Sequence, residues 1–155
     1  MSGIKDFDLT DTEDEMGFLL APFNDIDPTH EHTKDDPRIF VFGSNLLGIH
    51  GAGAAAYARI ELGAESGIGE GLTGRTYALP TCYRPGEPIT LQELAVYIYN
   101  FFEYAEEHPE LTFFLSKIGC GIAGFEETDV AYIVHELLVP ANVHIPPDWI
   151  YPEID

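Results

Sequence analysis

Arg38-Ile39-Phe40-Val41-Phe42-Gly43-Ser44-Asn45-Leu46-Leu47-Gly48-Ile49-His50-Gly51-Ala52-Gly53-Ala54-Ala55 is the stretch on which the fold turns. Its first five residues are a β-branched and aromatic run bounded by Pro37 and Gly43, the composition of a buried strand. Residues 43–53 read as a glycine-rich turn, followed by an alanine-rich helix over 54–62 that Gly63 stops. Further along, 65–74 reads as loop, and 75–80 as a second strand ending at Pro80. Thr90-Leu91-Gln92-Glu93 is a capping box that opens a helix to about Glu107, with Leu94, Ile98, Phe101 and Phe102 on its apolar face. A nearly continuous apolar run over 111–118 predicts a third strand, buried on both faces. A second glycine cluster over 119–125, a helix over 128–138 and a last strand over 142–145 complete the pattern, with Trp149 and Tyr151 packing on the body. Strands alternating with helices imply an α/β fold with a largely parallel sheet and helices on both faces. Ligands of such sheets sit beyond the carboxyl ends of the strands, where both glycine clusters fall.

The 155 residues suffice for one domain, and 45% hydrophobic with 12% aromatic residues supply its core. Seven Lys and Arg face 27 Asp and Glu, a formal charge of -20, which argues against binding modes that neutralise many nucleic-acid phosphates or dock on anionic membranes. A basic protein partner remains open, as does a small anionic ligand held by backbone donors. Residues 1–16 lack apolar periodicity and read as a solvated acidic arm, leaving 17–155 as a single domain in which 17–23 forms an edge strand. Cys82 and Cys120 form no C-x-x-C pair, and neither a metal nor a cofactor is expected. Met1 to Asp6 lacks the basic and apolar regions of a secretory signal, so a cytoplasmic location is expected.

In the second cluster, Lys117-Ile118-Gly119-Cys120-Gly121-Ile122-Ala123-Gly124-Phe125, the glycines spell G-x-G-x-x-G between a strand and a helix. Such a turn converges N–H groups on an oxyanion, and the following helix adds its positive end. The bland alternative is a tight turn with glycines for packing. In the first cluster, Ser44 and Asn45 are polar side chains able to orient a sugar, and Gly51 and Gly53 allow close backbone approach. His50 reads either as a general acid/base or as a loop-bonding residue. Cys120 reads as a small loop residue, because the stretch closes on Glu126 rather than on an arginine. His30-Glu31-His32 reads as solvated loop rather than as a metal site, and Arg75, Arg84 and Lys117 are scarce cations available to a pyrophosphate.

These two motifs together resemble the macro domain, an ADP-ribose-binding α/β/α module, over about Pro37 to Val139. The run from Phe42 to Ala55 and the Gly-Cys-Gly-Ile-Ala-Gly-Phe loop are most similar to small macro-like proteins encoded by bacteriophages, which implies a three-layer sheet and a host-cell cytoplasm. The resemblance implies Asn45 near the distal ribose with Gly43, Ser44, Gly51, Ala52 and Gly53 beside it. It implies Gly119, Cys120, Gly121, Ile122, Ala123 and Gly124 on the pyrophosphate, and Phe125 against the ribose. It also implies that 73–81 is a linking strand ending in Leu-Pro, and that Asn24-Asp25-Ile26-Asp27 stands where the family reads its base. The expected function is binding of ADP-ribose or a related nucleotide-sugar diphosphate. In its catalytic form an ADP-ribosyl linkage is hydrolysed with Asn45 orienting the ribose and His50 assisting. Two alternatives stand beside it: non-catalytic sequestration of a nucleotide signal, and an acidic interaction protein that mimics DNA toward a basic partner.

Overall fold

The structure, a computed structural model, describes residues 32–149. The 1–16 arm, the 17–23 segment, Asn24 to Asp27 and Tyr151 lie outside the described residues. Six strands form one sheet: β1 (Ile39–Asn45), β2 (Gly71–Thr73), β3 (Thr76–Arg84), β4 (Glu87–Pro88), β5 (Phe113–Leu115) and β6 (Val143–His144). Their order is β2-β3-β1-β5-β6, with β4 also on β3. The pairs of β1 with β3, β1 with β5 and β5 with β6 are parallel, whereas β2 and β4 pair antiparallel with β3. Three helices join them: α1 (Gly53–Leu62), α2 (Leu91–Glu107) and α3 (Glu127–Glu136). Among the described residues no helix is long and apolar enough to cross a membrane.

Side chains along β1 alternate between two cores, as a pleated strand requires. Phe40 and Phe42 join Ala58 and Leu62 of α1 in one cluster. Val41 enters a larger cluster with Leu94, Ile98 and Phe101 of α2 and Val130 and Val134 of α3. Helices therefore cover both faces of the central strand, and each fully buried Phe or Val contributes about 1.5–3 kcal/mol. The capping box of α2 forms as its sequence demands: Glu93 N–H donates to the Thr90 hydroxyl at 3.0 Å, and Thr90 N–H donates to Glu93 at 2.9 Å. At the end of α1, Gly63 takes φ 87° and its N–H reaches back to the Ala58 carbonyl.

Several boundaries differ from expectation. Strand β3 does not end at Pro80 but runs on to Arg84. On its outer side β2 pairs only as far as Ala78 and β4 starts at Cys82, so the proline lies where that edge has no partner. The linking strand expected over 73–81 is broken instead by a turn at Gly74 and Arg75, and Gly71–Thr73 folds back as β2. The apolar run 111–118 yields only Phe113–Leu115 as strand, because Ile118 turns back on the Ser116 carbonyl at 2.8 Å. Ile118 is nonetheless buried, so apolarity there reports depth rather than extended backbone. On α2, Phe101 and Phe102 are buried as expected, Tyr97 packs at the margin and Tyr99 faces solvent. Trp149 is buried, as expected.

Candidate functional site

Parallel β1 and β5 deliver their following loops to the same sheet edge. The two glycine clusters meet there: a Cβ on Gly43 would lie 3.3 Å from the Gly119 nitrogen and 3.2 Å from Cγ2 of Thr81. Gly119 has φ 77°, and a Cβ on it would sit 2.7 Å from Cδ2 of Phe125. Phe125 N–H donates to the Gly119 carbonyl at 2.8 Å and its ring packs on the larger core, closing the second loop from inside.

In the first loop the polar side chains serve the loop itself. The Asn45 amide donates to the Ile49 carbonyl at 2.8 Å and accepts from Ile49 N–H at 3.0 Å, while Gly48 N–H donates to the Asn45 carbonyl at 2.9 Å. The Ser44 hydroxyl donates to the Gly69 carbonyl. His50 is 2% exposed, with Nε2 at 3.2 Å from both the Glu65 and Ile68 carbonyls. Two carbonyl partners make Nε2 the donor. Nδ1 is buried without a hydrogen-bond partner among the described residues, and the ring stands edge-on to Phe42 at 5.1 Å. Asn45 thus closes the 45–49 turn on itself, Ser44 and His50 tie residues 44–50 to the 65–69 loop, and the backbones touch: a Cβ on Gly48 would lie 2.4 Å from the Gly67 carbonyl carbon. Sequence reading treated 65–74 only as loop; the pairing of its glycines with the first cluster is what it missed.

Arg59 was also missed. From α1 its Nε reaches back to donate to the His50 carbonyl at 2.8 Å. Among the described residues the α1 N-terminus has no side-chain cap, and no acidic residue lies in its first turn, so the Gly53, Ala54 and Ala55 amides have no partner there. In the second loop, Cys120, Gly124 and Phe125 N–H groups are spent on Lys117, Gly121 and Gly119 carbonyls. The Gly121, Ile122 and Ala123 amides have no such partner among the described residues. A Cβ on Gly51 or on Gly121 would meet nothing within 4 Å, and neither residue has a positive φ. Among the described residues nothing calls for glycine at those two positions.

The positive end expected from the helix after the second cluster is not free. Helix α3 starts only at Glu127, with Glu127 and Asp129 in its first turn, and these acids occupy the dipole an anion would use. Burial pushes the Cys120 thiol up to about 11, helped by the Glu127 carboxylate, and Sγ–H rests on the Ile118 carbonyl at 3.5 Å; it is no thiolate. Among the cations, Lys117 is held by Asp148 at 2.7 Å and by Glu127 at 3.2 Å, and Arg84 by Glu87 at 3.1 Å. Arg75 precedes β3 at the opposite edge and donates to the Lys34 carbonyl, out of reach of the cradle.

His32 is not in solvated loop. It is buried against Phe40 and Phe114, with Nε2 donating to the Arg38 carbonyl at 2.9 Å and Nδ1 2.9 Å from the Tyr57 hydroxyl. His30 and Glu31 lie outside the described residues. Among the described residues no group of three His, Cys, Asp or Glu is placed to hold a metal. No family model matches the chain, and no curated protein matches it.

Proposed function

We propose that the cradle at the carboxyl edge binds ADP-ribose or a related nucleotide-sugar diphosphate, in a three-layer α/β/α domain of macro type. The observation that carries this reading is the set of unspent backbone donors at one edge. Among the described residues, the amides of Gly121, Ile122 and Ala123 and those opening α1 have no protein partner, and Gly51 and Gly121 leave the approach to them open. Fixed N–H dipoles bind a pyrophosphate locally whatever the sign of the net charge. They do so without a lysine, which suits an edge whose lysine is already paired. Binding rather than hydrolysis is the form we favour. The Asn45 side-chain amide bonds loop backbone at both ends, Nε2 of His50 faces two loop carbonyls, and His50 turns no nitrogen to solvent. Sequestration of a nucleotide signal is that non-catalytic form, at the same cradle, and hydrolysis of the bound ligand is the other. Calorimetric titration with ADP-ribose tests the first claim, and absence of heat at millimolar ligand refutes it. Chromatography of ligand recovered after long incubation separates the two forms, since sequestration returns it intact.

A further inference from the structure

Around the cradle's mouth the surface is apolar in a way that small-anion binding does not require. Leu46, Leu47, Ile49 and Ile68 are between 38% and 55% exposed. They share one patch, because the segments that hold them pack backbone to backbone: a Cβ on Gly48 would lie 2.5 Å from the Ile68 nitrogen, and one on Gly69 would lie 2.9 Å from the Leu46 carbonyl oxygen. From Gly43 to Ala58 the sequence has no Lys, Arg, Asp or Glu. The nearest charges along the second segment, Glu65 and Glu70, flank Ile68 and are exposed. An aliphatic centre flanked by the carboxylates of Glu65 and Glu70, with Arg59 held on the His50 carbonyl, is the anatomy of a protein-binding surface, whose centre supplies desolvation energy and whose rim sets the sign of the partner. The other exposed apolar side chains lie singly or in pairs on separate elements: Ile60 on α1, Leu72 on β2, Val96 and Tyr99 on α2, Ile122 in the second glycine loop, Tyr132 on α3 and Leu138 after it.

We infer that Leu46, Leu47, Ile49 and Ile68 form a docking surface for a protein partner that presents apolar side chains within a ring of Lys and Arg. Charge selects this occupant over a second copy of the chain, because two copies each at -20 meet rim to rim with like sign. The same sign disfavours nucleic acid and anionic lipid at this surface. The inference stands whether or not the cradle takes a nucleotide, since none of the four side chains supplies an amide to it.

Two fluorescent peptides of equal length and equal positive charge test it, one of alternating Lys and Leu and one of alternating Lys and Ser. Anisotropy titrations use the full chain at near-physiological salt. The Lys/Leu peptide is expected to bind about tenfold more tightly than the Lys/Ser peptide. Leu47→Ser with Ile49→Ser removes that difference, and Glu65→Gln with Glu70→Gln weakens both peptides. Val96→Ser with Tyr99→Ser on α2 changes neither. Thermal unfolding confirms that each variant is folded, which half-exposed substitutions allow. Equal binding of the two peptides overturns the inference, as does a Leu47/Ile49 variant that keeps the preference. A dimer in sedimentation velocity that Leu47→Ser dissolves also overturns it, by assigning the patch to a second copy.

Discussion

Replacing Gly119 by Ala and Gly121 by Val separates a glycine the fold needs from one it does not. At Gly119 the backbone has φ 77°, and an added Cβ would approach the Phe125 ring to 2.7 Å. The left-handed conformation costs an L-residue roughly 1–2 kcal/mol. Displacing a ring that packs on the core adds about 1–3 kcal/mol of overpacking. The restricted unfolded chain returns about 0.4–1 kcal/mol. Gly119→Ala is therefore expected to destabilise by about 1–5 kcal/mol, visible as a lowered urea midpoint at unchanged slope. Gly121 has open space within 4 Å of its Cβ position and no positive φ, so Gly121→Val stays within about 0.5 kcal/mol of the parent. The isopropyl group of that valine stands beside the amides of 121–123, and ADP-ribose affinity should fall by at least about tenfold, roughly 1.4 kcal/mol. Urea unfolding followed by circular dichroism and calorimetric titration read the two effects. A Gly121→Val variant that loses as much stability as Gly119→Ala refutes the loop geometry. One that binds ADP-ribose like the parent refutes the assignment of the free amides.

Four further outcomes follow from particular contacts. Burial lowers the pKa of His32 and of His144, and for Asp36 burial is outweighed by hydrogen bonds from Arg38, leaving its carboxyl lowered as well. All three folded values lie below the unfolded ones, so the stabilisation is complete above about pH 6.5 and is lost as pH falls, through the histidines first and the carboxyl later. His32→Gln should flatten the decline of the urea midpoint between about pH 7.5 and 5 relative to the parent, a difference in which the easing of general charge repulsion cancels. Leu138 has φ 62° with its side chain in solvent, so Leu138→Asn should stabilise by about 0.5–1 kcal/mol in thermal unfolding. With its thiol pushed up to about 11, Cys120 should react with iodoacetamide only slowly at neutral pH, and Cys120→Ser should leave ADP-ribose affinity within about twofold. Thr90→Ala removes the α2 capping box and should cost about 1 kcal/mol, read by urea unfolding.

How much of the fold was legible depended on whether local chemistry decided it. The capping box at Thr90 and the glycine after Leu62 mark helix ends by hydrogen bonds made within a few residues, and both helices have the expected ends there. Alternation of Phe40, Val41 and Phe42 between two cores follows from a strand with helices on both sides, which the order of elements already implied. Boundaries set by distant partners were not legible. Whether Pro80 interrupts β3 depends on where β2 and β4 stop beside it, and whether 111–118 is extended depends on a turn at Ser116. The burial of His32 likewise depends on Tyr57 and Phe114, far along the chain.

The site shows the same division more sharply, because one letter stands for different physical demands. Gly48 and Gly69 are glycine because two backbones touch, Gly119 because of its φ and the ring above it, and Gly51 and Gly121 for neither reason. A sequence motif counts all of them alike, so G-x-G-x-x-G cannot say which residues brace the turn and which leave room. Hydrogen-bond accounting can, because an amide already spent on a carbonyl within its own loop is not available to a ligand. That accounting reassigns Asn45, Ser44 and His50, the residues whose chemistry drew attention first, to the bracing of the loops. On the proposed reading, an anion is then recognised by backbone groups whose side chains are glycine, alanine and isoleucine. A site built this way tolerates change in its polar residues only as far as the loops stay braced. Substitution of His50 should therefore impair ligand binding in proportion to the stability it removes, whereas a catalytic His50 would lose turnover at unchanged stability.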